Sequence, residues 1–537
     1  MITRGVVGAL LVLVGGFVIT PLPASVGATL AAPLAGWGET MPGHGLGLSM
    51  AVLGLALLSW AWISLLHTCA RGHRGTGALD LVRSATWSWT LPLLAAPPLF
   101  SRDGFSYVAQ GELTRRLLSP YGYAPVTLAG PWSERVDPRW MDTLTPYGPV
   151  PLVWGAMATT LTRDPWVAIV LERCAALLGL ALLLWALPQL ARWCRRDAAT
   201  VTALVTASPL VVAHGVGGLH NDLLLAGLGA AALVVAGRGS WGWAAVLGGL
   251  AAGVKVPGGL ICVGVVLVSL GVGATVRQRV GRAAAVGGLG VVTLLACGLP
   301  YRLGVGWVGA LAVPGEVLTP FSLSTTGGRA VGWVVDHAGH PELWAPALTT
   351  ARTLGMALAV LVGVVCALRA RTGDRPAALR SVAVTMLAVL LLGPVAHAWY
   401  ALWVVPFVAA LPLGARRLRV LLAVSVVGGI SAPLDSSLEG RPVAIVLTRR
   451  WCWPWRCRCS WGHVGSRRRP SLSAPPSPTT PPGPTPPRSS PAPVVERRQM
   501  GVMRPSQPPS VASQRVVGAA ARVRCRLSVR STVRLHG

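Results

Sequence analysis

Acidic residues are scarce in this 537-residue chain: 18 Asp and Glu stand against 47 Lys and Arg. Charged residues make up 12% of the sequence and apolar ones 53%. So little polar surface cannot cover so much apolar chain in water, which excludes a disordered protein and an ordinary soluble enzyme. Lysine is nearly absent, Lys255 being the only one. The formal charge of +29 is therefore carried by arginine, and unevenly: residues 437–537 hold 18 Arg against Glu439 and Glu496, leaving +13 for everything before them. A basic balance concentrated in one segment does not point to nucleic acid, and no nucleic-acid partner is expected. Paired cysteines are lacking too. Cys69, Cys174, Cys194, Cys262, Cys297 and Cys366 stand singly in apolar or helix-end segments, which excludes a disulfide framework or a zinc spacing among them.

What the sequence has in abundance is apolar runs near the ~20 residues that cross a bilayer. They fall near 6–20, 47–66, 86–100, 166–190, 199–214, 221–237, 242–256, 257–273, 283–300, 351–369, 380–395, 398–413 and 419–433. The expected fold is an all-α integral membrane bundle of about 11–13 transmembrane helices. The first run reads as a retained anchor, because a second span follows soon and Pro-Leu-Pro is a poor signal-cleavage site. Arginine sets the sidedness, since short cytoplasmic loops are enriched in it. The clusters at Arg71, Arg74 and Arg83, at Arg192, Arg195 and Arg196, at Arg238, at Arg277, Arg279 and Arg282, at Arg369 to Arg380, and at Arg416 to Arg419 all fall on the cytoplasmic side on one condition. The stretch Tyr147–Leu161 must not cross, and it is expected to be an interfacial or re-entrant helix.

That topology gathers the unusual polar residues at the opposite, extracytoplasmic mouth. The loop and juxtamembrane helices over 101–165 hold Arg102 and Asp103. A hairpin reading HGVGGLHND holds His214, His220, Asn221 and Asp222; AAGVKVPGG holds Lys255; the loop over 301–350 holds Arg302; and GPVAHAWY holds His397, Trp399 and Tyr400. Each has a bland reading beside a functional one. Asp103 can be an exposed interface carboxylate, or a functional acid opening an amphipathic helix. On that helix Phe105, Val108, Leu113 and Leu117 would lie on lipid, and Tyr107, Gln110 and Thr114 would face water. His220, Asn221 and Asp222 can cap the next helix, or bind a hydroxyl or a cation. Lys255, flanked by Gly and Pro between two apolar halves, is costly unless it meets an anion, for which phosphate is the natural partner. Glu172 and Arg173 can form a buried structural ion pair. Trp399 and Tyr400 can be interface-belt aromatics, or a stacking platform for a sugar.

The run PPLFSRDGFSYVAQGELTRRLLSPYGY, followed in order by VDPRW, TPYGP, VLERCAALLG, GGLHND, GVKVP and AHAWY, resembles the polyprenol-phosphomannose-dependent α-1,6-mannosyltransferases of actinobacteria. These are multispan glycosyltransferases of the GT-C type, and the resemblance covers roughly residues 86–435. It implies an enzyme of the plasma membrane that takes mannose from a polyprenyl phosphate on the outer face and extends the α-1,6-mannan of lipomannan and lipoarabinomannan. It maps the catalytic base onto Asp103. Inversion in a single displacement then needs only one carboxylate. Lys255, Arg102 and Arg302 would meet the donor phosphate. Tyr107, His220, Asn221, Asp222, His397, Trp399 and Tyr400 would hold the sugars. No metal ligand set is assigned, and dependence on a divalent cation is left open. The competing reading is a transporter or flippase for a lipid-linked sugar. Against it, no half of the chain repeats and the polar groups gather on one face.

Residues 1–436 are expected to form the membrane enzyme. From Ser437 the sequence turns to Arg, Pro and Ser, a composition that cannot pack a core. An altered reading frame is one explanation of this tail. Cys452, Cys457 and Cys459 lack a fourth metal ligand other than His463.

Overall fold

The computed structural model describes residues 1–23, 31–38, 40–71, 76–313 and 318–434. The tail, with its cysteines, lies outside them, as does Arg74. The described residues form helices joined by short turns, with no strand among them. Six helices are long and apolar enough to cross a membrane: Ile2–Ile19, Pro42–Arg71, Pro165–Trp193, Val276–Tyr301, Pro341–Arg369 and Arg375–Leu392. A seventh span forms if Ala198–Thr206 and Val211–Gly217 are taken as one helix bent by 59°. The described residues make an all-helical, multi-pass membrane protein.

That count is below the thirteen apolar runs of the sequence, and helix length explains the gap. Pro149–Leu161, Asp222–Gly237, Trp241–Val254, Val256–Ser269 and Ala398–Ala410 are apolar but shorter. Even the 16 residues of Asp222–Gly237 reach only about 24 Å, short of a ~30 Å hydrocarbon core. This helix is buried on nearly every side, so protein covers it where lipid would cover a longer one. The run at 86–100 likewise divides into the end of Thr76–Thr90, a 3-10 turn at Leu91–Ala95 and an irregular approach to Asp103. Pro149–Leu161, at 13 residues, is too short to span, in line with its reading from the charge pattern.

Four of the scarce carboxylates start helices. Asp137, Asp164, Asp197 and Asp374 each accept a backbone N–H of the first turn, from Arg139, Trp166, Thr200 and Ala377, meeting donors that the helix itself leaves unpaired. Asn221 precedes the Asp222 helix at its cap position but makes no such side-chain bond, so capping does not account for the HND sequence.

The Asp103–Arg115 helix corrects an expectation. Its residues from Asp103 to Thr114 are all buried, so it does not lie on the lipid surface with a wet face and a greasy one. Phe105, Val108 and Leu113 pack with Leu128, Trp132, Val136, Ala168, Ile169 and Leu219. On the other face Tyr107 meets Tyr147 and Gln110 meets Thr145. Leu117, past the helix end, is the residue left exposed. The helix crosses Pro149–Leu161 where Gly111 meets Gly155, and a side chain on Gly111 would collide with the Gly155 backbone.

Candidate active site

Two turns bring the chemistry together. One, Phe100–Arg102, leads into the Asp103 helix; the other, Gly218–Asn221, leads into the Asp222 helix. Each contains a non-glycine residue in the left-handed region, Phe100 at φ 62° and Leu219 at φ 61°. For residues of this bulk that backbone costs on the order of 1–2 kcal/mol. The neighbouring structure holds both turns in place. The Leu99 N–H donates to the Gly217 carbonyl at 2.9 Å.

Arg173 joins the same two segments. Its guanidinium donates to the carbonyls of Leu94, Ala96 and Pro97 on one side, at 2.8, 2.7 and 3.1 Å. On the other it donates to those of Val216 and Gly217, at 3.0 and 3.4 Å. The expected Glu172–Arg173 ion pair is therefore not formed. Glu172 points away, toward the Gly155 crossing, and its Oε1 is buried without a hydrogen-bond partner. Adjacent residues on a helix face different directions, and Arg173 finds carbonyls released by the 3-10 turn and by the π-helical stretch Val211–Gly217. A π-helical turn beside a functional site is a recurrent arrangement.

Asp103 sits at the first position of its helix, its backbone N–H donating to the Ser101 hydroxyl at 3.1 Å. Its side chain lines a hollow with Ser106, Gln110, Trp140, Tyr147, Lys255, His397, Trp399 and Tyr400. The hollow measures about 60 Å³, room for about four or five waters. Burial pushes the Asp103 carboxyl up to about 6, with Lys255 pulling it down and Asp137 raising it further. Behind it lies His220, whose Nε2 is 3.8 Å from Asp103 Oδ2 and whose Nδ1 is 2.8 Å from the His214 carbonyl. Burial lowers the His220 imidazole to about 4.

Lys255 occupies a break between helices Trp241–Val254 and Val256–Leu260, with extended backbone at φ −157° and ψ 135°. The break points its ammonium into the hollow, where the rings of Tyr400, Trp403 and Tyr147 surround it at 4.1, 5.3 and 5.4 Å. Its anion is Asp222 Oδ1, at 3.4 Å. The same oxygen accepts the Trp403 indole N–H at 2.6 Å, while Asp222 Oδ2 is buried without a partner. Trp399 is stacked between two imidazoles, His397 at 4.3 Å and His220 at 4.1 Å. Buried in this way, Trp399 and Tyr400 are wall residues, not belt aromatics.

The residues expected from sequence divide into three groups. Asp103, Lys255, His397, Trp399 and Tyr400 line the hollow. Tyr107, His220, Asn221 and Asp222 are buried behind its wall. Arg102 is half-buried, its guanidinium lowered by burial and drawn toward Asp137, and Arg302 lies exposed in a left-handed turn; neither reaches the lining. The structure adds Tyr147, Trp403, Trp140, Ser106 and Gln110, of which Tyr147 and Trp140 lie within the TPYGP and VDPRW motifs. Among the described residues, no three His, Cys, Asp or Glu side chains converge as a metal site would require.

At the far end of the Asp222–Gly237 helix, a second recess is lined by Arg192, Arg238 and Arg375. Sixteen helical residues separate the two, about 24 Å along the axis. The bundle thus has an arginine end and a carboxylate–imidazole–lysine end. Fold and site together define a multi-pass membrane protein with a cleft at one end that gathers a carboxyl, imidazoles and an ammonium.

Comparison with known proteins identifies the family. A model described as alpha-(1->6)-mannopyranosyltransferase, N-terminal domain, matches residues 2–271, and one described as MptB C-terminal domain matches residues 324–450. The chain is 34% identical over 410 residues to alpha-(1->6)-mannopyranosyltransferase A of Mycobacterium tuberculosis, covering 72% of this chain and 75% of that one. It is 28% identical over 412 residues to alpha-(1->6)-mannopyranosyltransferase B of Corynebacterium glutamicum, covering 71% and 67%. A probable alpha-(1->6)-mannopyranosyltransferase of Mycolicibacterium smegmatis is 29% identical over 432 residues, covering 72% and 74%. The chain belongs to the alpha-(1->6)-mannopyranosyltransferase family and is a hexosyltransferase, which sets the transport reading aside.

Proposed function

We propose that the protein transfers mannose from polyprenyl-phosphate-mannose to an α-1,6-mannan glycolipid acceptor, at a cleft on the extracytoplasmic face of the plasma membrane. Asp103 is the general base. It takes the proton of the acceptor hydroxyl as that oxygen attacks the anomeric carbon, and the phosphate leaves with its lipid and the bonding electrons. The attack inverts the anomeric centre in one displacement, so a single carboxylate suffices. The observation that carries this reading is the shared cleft. A carboxyl held near neutrality and the chain's only lysine, 152 positions apart in sequence, face one hollow.

Lys255 is the group for the departing phosphate. Negative charge grows on that phosphate during the reaction, and an ammonium in a buried, ring-lined site stabilises it more than one in water would. Asp222 and the three rings hold Lys255 in place for that task. His397, Trp399 and Tyr400 offer flat surfaces for a sugar, while Tyr107 and Asn221 act from behind the wall through Tyr147 and the Asp222 turn. The hollow opens to one side, so a donor sugar need not fit wholly inside it. Arg102 and Arg302 lie off the lining and would reach the phosphate only if their own segments shifted. The arginine end suits the cytoplasmic side, and this supports the reading of a cleft that opens on the extracytoplasmic face.

The test is a membrane assay with radiolabelled polyprenyl-phosphate-mannose and a short α-1,6-mannoside, comparing wild type with Asp103→Asn. Undiminished transfer by the variant removes Asp103 from this role.

A further inference from the structure

The two nitrogens of His220 are constrained differently. Nδ1 lies 2.8 Å from the His214 carbonyl oxygen. A carbonyl only accepts, so Nδ1 carries the proton, and in the neutral ring Nε2 is a bare lone pair. That lone pair is buried, has no hydrogen-bond partner, and lies 3.8 Å from Asp103 Oδ2. The ring cannot turn away easily. Trp399 is stacked on it at 4.1 Å and 20°, and the π-helical backbone at His214 fixes its other edge. The remaining ionisable groups around it are the Asp222–Lys255 pair, the His214 ring, whose Nε2 lies 3.0 Å from the Gly428 carbonyl, and His397 across Trp399. None of them donates to Nε2.

A lone pair facing a carboxylate gains nothing, because both are acceptors. Facing a carboxyl, it receives an O–H. One protonation state of Asp103 therefore satisfies His220, and it is the state that exists after proton abstraction. We propose that His220 is a positioning residue that accepts a hydrogen bond from protonated Asp103, and so stabilises the product of the proton-transfer step. The inference rests on Asp103 being the base. In that step the acceptor O–H bond breaks and its proton passes to an Asp103 carboxylate oxygen. The acceptor oxygen bonds to the anomeric carbon, and the bond from that carbon to the phosphate oxygen breaks with its electron pair. A rotation of the Asp103 side chain then closes the 3.8 Å separation to hydrogen-bonding distance. The proton stays on Asp103 until it leaves to water or to the freed phosphate, and the imidazole remains neutral throughout.

Two variants test this in membranes of the full chain. His220→Phe keeps a ring stacked on Trp399 but removes the acceptor; His220→Gln supplies an amide oxygen. For His220→Phe the expected result is a kcat lower by about 10- to 100-fold, the worth of one hydrogen bond to a reacting group. KM for donor and mannoside should change little, and the acid limb of the pH profile should move to lower pH. His220→Gln should recover part of kcat and restore the limb. Equal loss in both variants, a loss in KM alone, or an unmoved limb overturns the proposal. Transfer by Asp103→Asn would instead sink the base assignment itself, whereas an inert Asp103→Asn beside an unaffected His220→Phe sinks only this inference. Should His220→Phe fail to accumulate, the wild-type carboxyl C=O stretch decides. The band lost in Asp103→Asn should sit at the position of a hydrogen-bonded acid, and a free-acid position overturns the proposal.

Discussion

The two ends of the Asp222–Gly237 helix handle charge in opposite ways. At the arginine end the groups are plentiful, exposed and locally tied. Arg238 donates to Gln189 Oε1 at 2.6 Å, and Arg375 to the Gly237 carbonyl at 2.6 Å. At the other end Asp103, His220, Asp222 and Lys255 are few, buried, and drawn from separate stretches of sequence. Exposed charges in water are individually worth little, while buried ones are costly unless something compensates them. In this bundle charge is abundant where it is exposed and scarce where it is buried.

The largest effect expected is at the cleft end. Asp103→Asn keeps shape and polarity but cannot take a proton, and transfer should fall by about 10³-fold, within the range of general-base catalysis. Donor binding, measured by photocrosslinking of the lipid phosphate, should persist. Because burial holds this carboxyl near 6, well above the ~3.9 of a free Asp, the folded state binds a proton that the unfolded chain releases. Stability therefore declines as pH rises from about 4 to about 6. At pH 7 the Asn variant should melt no lower than wild type in detergent, and higher if removing the charge relieves the strain of burying it.

Next comes the residue that holds the two turns together. Arg173→Met leaves five carbonyls without their guanidinium in a site that is 0% exposed. A loss of about 3 kcal/mol or more is expected, from charged hydrogen bonds worth about 1.5–3 kcal/mol each before relaxation. The readout is the melting temperature of the purified protein. An unchanged melting temperature would mean that the turns stand without this staple.

Lys255→Ala sharpens the comparison within the cleft. It should lower kcat/KM for donor by about 10- to 100-fold, the worth of a charge-assisted contact, and leave the acceptor KM near wild type. It also strands Asp222, so Lys255→Ala with Asp222→Asn should be more stable than Lys255→Ala alone. The wild-type pH profile follows in size. If Asp103 is the proposed base it acts as a carboxylate, so activity should be lost as pH falls through about 6, and kcat/KM should be roughly tenfold lower at pH 5 than on the plateau. An acid limb near 4 would break the link between burial and base strength.

Much of this site is legible in the amino-acid sequence. Asp103, Lys255 and the HND and HAWY runs stand out because a polar residue at the end of an apolar run is expensive, and a lone lysine among arginines is conspicuous. What the sequence hides depends on which way side chains turn. Arg173 reads as half of an ion pair with Glu172, since backbone carbonyls carry no sequence signal. Phe105, Val108 and Leu113 show a helical period, but the period cannot say whether the polar face meets water or Tyr147 and Thr145. Trp403 lies beyond the motif that flags Trp399, and its bond to Asp222 depends on a 3-10 turn at Ala398–Trp403. Of the thirteen apolar runs, six or seven become helices long enough to cross on their own among the described residues, because hydropathy does not register helix length.

The smallest effect belongs at the arginine end, where it sets the scale for the rest. Arg238 is exposed, bonded to Gln189 and poised 5.1 Å from the Trp185 ring. Arg238→Ala should change stability by no more than about 0.5 kcal/mol and transfer by less than twofold. If it lowers transfer as much as Lys255→Ala does, the two ends are coupled and the division of labour fails. The same position tests sidedness. With the native cysteines replaced, a thiol at 238 and one at Thr143, on the rim of the cleft, should react with a membrane-impermeant maleimide from opposite faces of intact cells and inverted vesicles. Labelling of both from one face would mean that the arginine end is not cytoplasmic, and the placement of the cleft outside would fall with it.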